Sequence, residues 1–376
     1  MVKEATRVWA EISLKNLQRN LQWIQQRIGP GVRIAPVLKA NAYGHGAVHV
    51  AQGLDGKVAL FVVATLEEAL ELQEAGIQTP ILIIGPLWHP TEWEAAVEHQ
   101  FRISIGHVEQ LQRLAEWLRQ QKKNALVHLQ VDTGMNRTGV LLPEVDAAIQ
   151  ILTFSPFLKW EGIYSHFVAS DLNPGLTREQ FDRFQKVLQK IPPNIQLVRH
   201  MANSAALVTL RESHLDMVRP GLALYGWCPH PSLSPQYAVW PVMQIRARVL
   251  QVKTVPAGQG IGYGPLYRTQ KEIRVATLGI GYADGFPRSA TNRAEVLIHG
   301  KRRKVLGSVT MDLIMVEVDE TVKVGDIATI LGKDGDEWIT VHDLATWAGT
   351  IPYEILVRVG PRVQRIYTDQ TKSPGP

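Results

Sequence analysis

The sequence predicts an α/β architecture in which a TIM-like (β/α)8 barrel is followed by a second, mostly antiparallel β domain. Three observations carry this. Eight short apolar runs, many of them β-branched, each lead into a segment with helix periodicity over roughly the first 230 residues, the repeat of such a barrel. A Pro-rich stretch interrupts the pattern near Tyr237, and beyond it the texture changes to alternating strands separated by Gly and Asp turns. At 376 residues, 45% of them hydrophobic and 20% charged, the chain is long enough for more than one core and too apolar to be disordered.

The alternating run Arg7 to Ile12 opens the chain without a strand partner nearby, so it is expected to join the β domain. The barrel strands are expected at Val32 to Leu38, Ala59 to Ala64, Pro80 to Ile84, Phe101 to Ile105, Ala125 to Val131, Leu158 to Ser165, Ile195 to Val198 and Met217 to Leu224. Between them, segments such as Thr65 to Ala75, His107 to Gln121, Leu142 to Phe154 and Thr177 to Ile191 repeat apolar residues every three or four positions, the period of a helix buried on one face. Pro220, Pro229, Pro231, Pro235 and Pro241 break the longest stretch free of Asp, Glu, Lys and Arg, so it is not a membrane helix and suits a connection between domains. The division is therefore 8–236 for the barrel and 237–376 for the β domain, with the segment 1–7 joined to the latter. An open doubly wound sheet competes; the barrel requires polar motifs just after strand ends, at the carboxyl face, and they occur there.

Forty basic residues stand against thirty-five acidic ones, and the signs are interspersed apart from Lys301 to Lys304, which argues against nucleic acid as a partner. The lone Cys228 cannot close an internal disulfide, and no signal-like segment precedes Arg7, so the cytoplasm is the expected compartment.

The first expected barrel strand ends in Lys39. Holding a lysine charged at the inner end of a buried strand is costly; desolvation favours the neutral amine, a nucleophile toward aldehydes, and the alternative is a side chain that snorkels to water. The segment Val37-Leu38-Lys39-Ala40-Asn41-Ala42-Tyr43-Gly44-His45-Gly46 resembles the pyridoxal-phosphate lysine motif of the alanine racemase family, fold type III. The likeness continues through Asp132 to Gly139, Ser165-His166-Phe167, Asn203-Ser204-Ala205, Val218 to Gly221, Gly262-Tyr263-Gly264, Gly281 to Gly285, Met311-Asp312 and Pro352-Tyr353-Glu354. It implies pyridoxal 5'-phosphate as cofactor, an internal aldimine on Lys39, interconversion of L- and D-alanine, a homodimer with shared active sites, and a place in supplying D-alanine as a peptidoglycan precursor.

The loops after the seventh and eighth strands of such a barrel form its usual phosphate site. Ser204 and the amides of Gly221 and Leu222 can hold the phosphate there, with a plain helix cap as the alternative for Asn203-Ser204. The resemblance adds Tyr43 and Tyr353 to that site and places Arg219 against the pyridine nitrogen. A guanidinium keeps its own protons, so it donates to the ring without protonating it and leaves a weaker electron sink. His166 is expected to position Arg219. Racemisation needs a base on each face of a planar carbanion; Lys39 serves one, and the resemblance offers Tyr263 of the partner subunit for the other. Arg137 and the backbone N–H of Met311, the latter from the partner, are candidates for the substrate carboxylate. Where the family often has a carbamylated lysine paired with the arginine, this chain has Gln130, which is neutral, so Arg137 must be oriented by an amide hydrogen bond or another group. Tyr282, Arg288 and Asp171 are expected in an entry corridor, with surface-loop roles as the alternative for Arg288 and Asp171.

Asp132-Thr133-Gly134 is shared with aspartic proteases, but no second such triplet provides the required carboxylate pair. His45 and His49 have a zinc-compatible spacing with Gly46 where a glutamate belongs, and Gly279 to Gly285 has the wrong spacing for a dinucleotide fingerprint, so neither a metal nor a nicotinamide cofactor is expected. The competing readings are a broader-specificity amino-acid racemase or an amino-acid decarboxylase of the same fold, and a cofactor-carrying protein without catalysis, which would need neither the β domain nor Tyr263.

Overall fold

The computed structural model describes residues 6–368; the outermost parts of the expected β domain, 1–5 and 369–376, lie outside the described residues. Strand β1 (Val8–Ser13) runs directly into helix α1 (Leu14–Arg27), because the Ser13 side chain accepts from the Asn16 amide and caps the helix. Leu14, Leu17, Leu21 and Ile24 then recur at helical spacing and are buried as one stripe.

The barrel strands are β2 (Arg33–Ile34), β3 (Phe61–Val63), β4 (Ile81–Ile83), β5 (Arg102–Ile105), β6 (Ala125–Asp132), β8 (Leu158–Tyr164), β9 (Val198–His200) and β10 (Met217–Val218), with the two-residue β7 (Val140–Leu141) paired to the end of β6. They pair in parallel in the order β2-β10-β9-β8-β6-β5-β4-β3. A parallel bridge between Val37 and Val62 closes the ring, with the Ala59 amide on the Ile34 carbonyl and the Val62 amide on the Pro36 carbonyl, both at 2.9 Å. Val62, Leu82, Ile103, Val127, Leu129 and Ile163 are fully buried, as parallel strands covered on one face by the barrel interior and on the other by helices require.

Three expected strands change. Val32 to Leu38 shortens to β2, with an isolated bridge at Val37 beyond it, because Pro36 has no amide to donate to a ladder. The run Ile195 to Val198 becomes β9 at Val198–His200, because Pro192 and Pro193 supply no backbone donors and the chain is still turning at Ile195. Met217 to Leu224 shortens to β10, since Pro220 and Gly221 end the ladder and Leu224 and Tyr225 bond back into turns.

The second domain contains β11 (Met243–Val255), β12 (Ile273–Leu278), β13 (Glu295–Ile298), β14 (Lys301–Leu306), β15 (Ile314–Val318), β16 (Ile327–Asp334), β17 (Glu337–Ile339) and β18 (Gln364–Thr368). Its sheet has the order β17-β16-β13-β14-β15-β12-β11-β1-β18 and curls until β11 also pairs with β16. Within it β1 lies antiparallel to β11 and parallel to β18. Among the described residues the strand that the N-terminal segment contributes to this sheet is Val8–Ser13, so the barrel portion begins with α1 rather than at residue 8. The basic run Lys301 to Lys304 forms β14, where Arg302 pairs with Glu295 and Glu337, and Lys301 and Arg303 with Asp319. Charge neutralised along this interior strand leaves little field for a polyanion.

The two domains meet around the end of the first barrel strand. Arg365 of β18 donates to the Gly44 carbonyl at 2.7 Å, and the Tyr367 hydroxyl to the His45 carbonyl at 3.1 Å. Tyr353, on the short helix Pro352–Val357, lies with its ring 5.9 Å from that of Tyr43.

Candidate active site

A cavity of about 440 Å³ opens at the carboxyl ends of the barrel strands. Lys39, Arg137, His166 and Arg219 line it together with Tyr43 and Tyr353. Ser204, Gly221 and Leu222 form one wall, so nine of the expected residues converge in a single site.

Lys39 is partly buried, and its pKa is lowered from the ordinary 10.5, first by burial and then by the charge of Arg137, with Glu68 acting in the opposite sense. The chain leaves Lys39 in an unusual conformation: Ala40, Asn41, Ala42 and Tyr43 all have φ between 52° and 54°, one turn of left-handed helix. For L-residues with a Cβ this costs about 1–2 kcal/mol each, so the surroundings must hold it. They do. The Ala40 amide donates to Glu68 Oε1 at 2.6 Å, the Ala47 amide to Asn41 Oδ1 at 2.7 Å, and the protonated Nδ1 of His45 faces the carbonyls of Ala42 and Tyr43 at 2.9 Å each. His45 is fully buried and its pKa is pulled down to about 4 by burial, so it holds the turn as a neutral ring. His49 stacks on Tyr367 at 3.8 Å, and no group of three metal-ligating side chains occurs among the described residues.

Opposite Lys39, Ser204 Oγ accepts from the amides of Gly221 at 3.0 Å and Ala223 at 3.2 Å. Its own proton is therefore left to donate elsewhere. The amides of Ser204 and Leu222 meet no protein acceptor among the described residues. A Cβ built on Gly221 would stand 2.5 Å from the Tyr43 hydroxyl, so only glycine admits that hydroxyl to the loop. Burial raises the pKa of Tyr43 above its ordinary value and that of Tyr353 to about 12, the latter assisted by the Asp171 carboxylate. Both phenols stay protonated at neutral pH. Neutral hydroxyl and amide donors around one spot make a cradle for an oxyanion.

Arg219 is buried and tightly held. One guanidinium nitrogen, Nη1, donates to His200 Nδ1 at 2.6 Å. The other, Nη2, lies 2.8 Å from the Ser165 carbonyl, 3.3 Å from that of Met201 and 3.4 Å from His166 Nδ1. The Tyr164 ring lies beneath the guanidinium at 4.9 Å. The expectation that His166 positions Arg219 is thus revised in weight: His166 is the loosest of these contacts, and His200 the shortest. Because Arg219 donates to Nδ1 of His200, that ring carries its proton on Nε2 and gives it to His128 Nδ1 at 2.9 Å. Burial lowers His166 and His128 to about 3 each, and His200 well below its ordinary value, all three pushed further by Arg219. Arg219 itself falls only to about 10 through burial, so the charge of the cluster resides on the guanidinium.

Gln130 does not reach Arg137. Its Nε2 donates to the Thr138 carbonyl at 3.2 Å and hydroxyl at 3.0 Å, while its Oε1 accepts from the Tyr164 hydroxyl at 3.0 Å. It steadies the loop next to Arg137 rather than the guanidinium. Asp132 accepts from the amides of Gly134 and Met135 at 2.7 and 2.9 Å, which makes it the pivot of that loop and accounts for the Asp-Thr-Gly triplet without proteolysis.

Tyr263 and Met311 are not in this cavity. They stand 76% and 52% exposed on the β domain, and Tyr263 lines a separate depression with Thr310 and Met315. Tyr282 is adjacent to Met311 in space, through Ala283 donating to the Met311 carbonyl at 3.0 Å, and Arg288 is exposed on a nearby turn. Sequence reasoning missed His200, His128 and Glu68. For the first two the determinant is strand register: His128 lies level with Gly162 of the intervening strand, and a Cβ there would meet His128 Nδ1 at 2.5 Å, so that glycine clears the space between two histidine-bearing strands.

An amine biased toward neutrality, a cradle of neutral donors and a guanidinium in one cavity are a donor set for a phosphorylated aromatic aldehyde. Family models described as the alanine racemase N-terminal domain and C-terminal domain match residues 12–229 and 242–367. The alanine racemase of Carboxydothermus hydrogenoformans is 42% identical over 367 residues, spanning 96% of this chain and 99% of that protein. The crystal structure of alanine racemase from Streptomyces lavendulae superposes with a TM-score of 0.89 at 38% identity, covering 97% of this chain and 98% of that one. That of Bartonella henselae, described with covalently bound pyridoxal phosphate, does so at 0.86 and 29%, covering 96% and 99%.

Proposed function

The chain belongs to the alanine racemase family and racemises alanine, and we propose that it does so with pyridoxal 5'-phosphate carried on Lys39, as a cytoplasmic homodimer that supplies D-alanine for peptidoglycan precursors. The observation that carries the cofactor reading is the convergence of Lys39, the Ser204–Gly221–Leu222 cradle and Arg219 in one cavity. The covalent cofactor of the Bartonella henselae relative supports it. When bound, the cofactor supplies an electron sink that acidifies the α-C–H of an amino acid.

The remaining chemistry belongs to the chain. Ser204, Tyr43 and Tyr353, with the amides of Ser204 and Leu222, would hold the phosphate through neutral donors; the Gly221 amide, expected beside Leu222, donates instead to Ser204 Oγ. Arg219, protonated throughout the physiological range, would face the ring nitrogen as a donor that gives up no proton, with His200 and His128 fixing its aim. Lys39 carries a proton on one face of the substrate carbon. Its depressed pKa keeps the amine available as a base. The opposite face has no acid or base from the same chain assigned to it, and Tyr263 of the partner subunit is proposed for it, with the amide of Met311 from the same source beside Arg137 at the substrate carboxylate. The exposure of both residues outside their own cavity supports that arrangement. The division of the chain near Tyr237 serves it too, because the Tyr237 hydroxyl bonds the Ser204 carbonyl and ties the connection to the cradle.

Incubation with pure L-alanine and the cofactor, followed by chiral chromatography with a carbon balance, tests the reading. Conversion to equal amounts of the two enantiomers with no carbon lost is expected, whereas release of carbon dioxide would establish a decarboxylase instead.

A further inference from the structure

We propose that Glu68 is a positioning residue for Lys39, its carboxylate fixing the left-handed turn by accepting the Ala40 amide. The inference rests on Lys39 being the cofactor lysine. Glu68 is the third residue of helix Leu66–Glu74, where it closes a capping box with Thr65. Besides the Glu68 amide donating to Thr65 Oγ1 at 3.3 Å, a box of this kind asks of the carboxylate only the bond from the Thr65 amide. Here that bond is the longest of the three, at 3.4 Å. The short ones leave the box: Oε2 accepts from Ala64 at 2.7 Å and Oε1 from Ala40 at 2.6 Å.

Ala64 follows the second barrel strand and Ala40 the first, neighbours through the Val37–Val62 bridge. One carboxylate therefore bolts together the two loops that begin where the first two strands end. The far end of the turn has its own ties through Asn41, His45 and Arg365. At its start, one residue beyond Lys39, the side chain holding the backbone is that of Glu68. Amides donating to a carboxylate make charge-assisted bonds, roughly twice as strong as neutral ones. Such a bond offsets part of the left-handed cost at the residue that sets the direction of the Lys39 side chain. Among the charges acting on Lys39, Glu68 also opposes Arg137.

The holoenzyme and its Glu68→Ala, Glu68→Gln and Thr65→Ala variants are compared by amide hydrogen exchange at Ala40, visible absorbance, and separate kcat and KM. Thr65→Ala weakens the box and leaves the carboxylate. Glu68→Ala is expected to speed Ala40 exchange and depress kcat by roughly tenfold or more with KM near the parent value, the scale of losing one charge-assisted bond. Thr65→Ala should lose thermal stability while keeping parental exchange and kcat, and Glu68→Gln should recover part of both through its remaining carbonyl oxygen. Parental Ala40 exchange in Glu68→Ala, or equal effects of Glu68→Ala and Thr65→Ala on kcat and exchange, would reduce Glu68 to a helix cap and overturn the proposal. If Glu68→Ala does not fold, Glu68→Gln against Thr65→Ala gives the same comparison. A Lys39→Ala protein that retained its visible band would refute the cofactor-lysine reading separately, since Ala40 exchange does not depend on it.

Discussion

Replacing Gly221 by alanine tests the cradle with a single methyl group. The new Cβ would lie 2.5 Å from the Tyr43 hydroxyl oxygen and 3.1 Å from its ring carbon Cζ. Relief to ordinary contact requires the phenol to retreat by about 1 Å, and well-packed side chains resist such shifts. Retreat is blocked: the Tyr43 ring is packed 4.9 Å from Tyr225 and 5.9 Å from Tyr353, and its backbone belongs to the left-handed turn. Overpacking of this kind costs about 1–3 kcal/mol, divided between the stability of the cofactor-free protein and the affinity for the phosphate. If most of it falls on binding, the cofactor dissociation constant rises by roughly ten- to hundredfold. Equilibrium titration with pyridoxal phosphate, followed by visible absorbance and paired with thermal unfolding of the cofactor-free form, measures both shares. Gly175→Ala is the control, because its Cβ would meet only Asn173 at an ordinary 3.5 Å. A Gly221→Ala protein matching that control in both affinity and melting temperature would refute the cradle geometry.

Other expected outcomes follow from the same site. Tyr263→Phe should keep the cofactor and its visible band while lowering racemisation in both directions by roughly a hundredfold or more, the scale of a lost general base; parental rates would remove Tyr263 from the mechanism. Asp132→Ala should unfasten the loop that carries Arg137, costing about 1–3 kcal/mol in chemical denaturation and raising KM for alanine; unchanged values of both would show that the loop needs no such pivot. The buried histidines make stability depend on pH. His45 lies at about 4 and His128 and His166 at about 3 in the folded chain, against about 6.5 unfolded. Above 6.5 neither state is protonated and the stability is fully present. As pH falls, the unfolded chain takes up protons first, so stability is lost from pH 6.5 downward toward the folded values, at up to about 1.4 kcal/mol per pH unit for each histidine. Urea unfolding between pH 7 and pH 5 should show this slope in the parent and a shallower one in His128→Asn; identical slopes would contradict the assignment of His128 as buried and neutral.

Much of the fold was legible because its signals are local. Short apolar runs between helix-period segments mark barrel strands, and the change to alternation marks the second sheet. The errors fall where backbone chemistry overrides apolar pattern: Pro192-Pro193 delays β9, and Pro220-Gly221 ends β10 after two residues. The site was legible where a side-chain type is tied to a loop after a strand, as for Lys39, Ser204 and Arg219. It was not legible where the determinant is a fold-level coincidence. Nothing in Ala40-Asn41-Ala42-Tyr43 announces four consecutive left-handed residues, since alanine and tyrosine disfavour that region and only the surrounding contacts sustain it. Glu68 stands three residues after Thr65, the place of an ordinary helix-capping glutamate, and its bond to Ala40 depends on the lateral pairing of the first two strands. His200 and His128 lie 72 residues apart and meet only because Gly162 separates them.

The central claim is that the nitrogen at the end of the first barrel strand carries the cofactor. Reduction of the active, cofactor-loaded protein with borohydride, followed by peptide mapping, should fix the pyridoxyl group on Lys39 in step with the loss of activity. A label on any other lysine, or full activity with Lys39 unmodified after complete reduction, would contradict it.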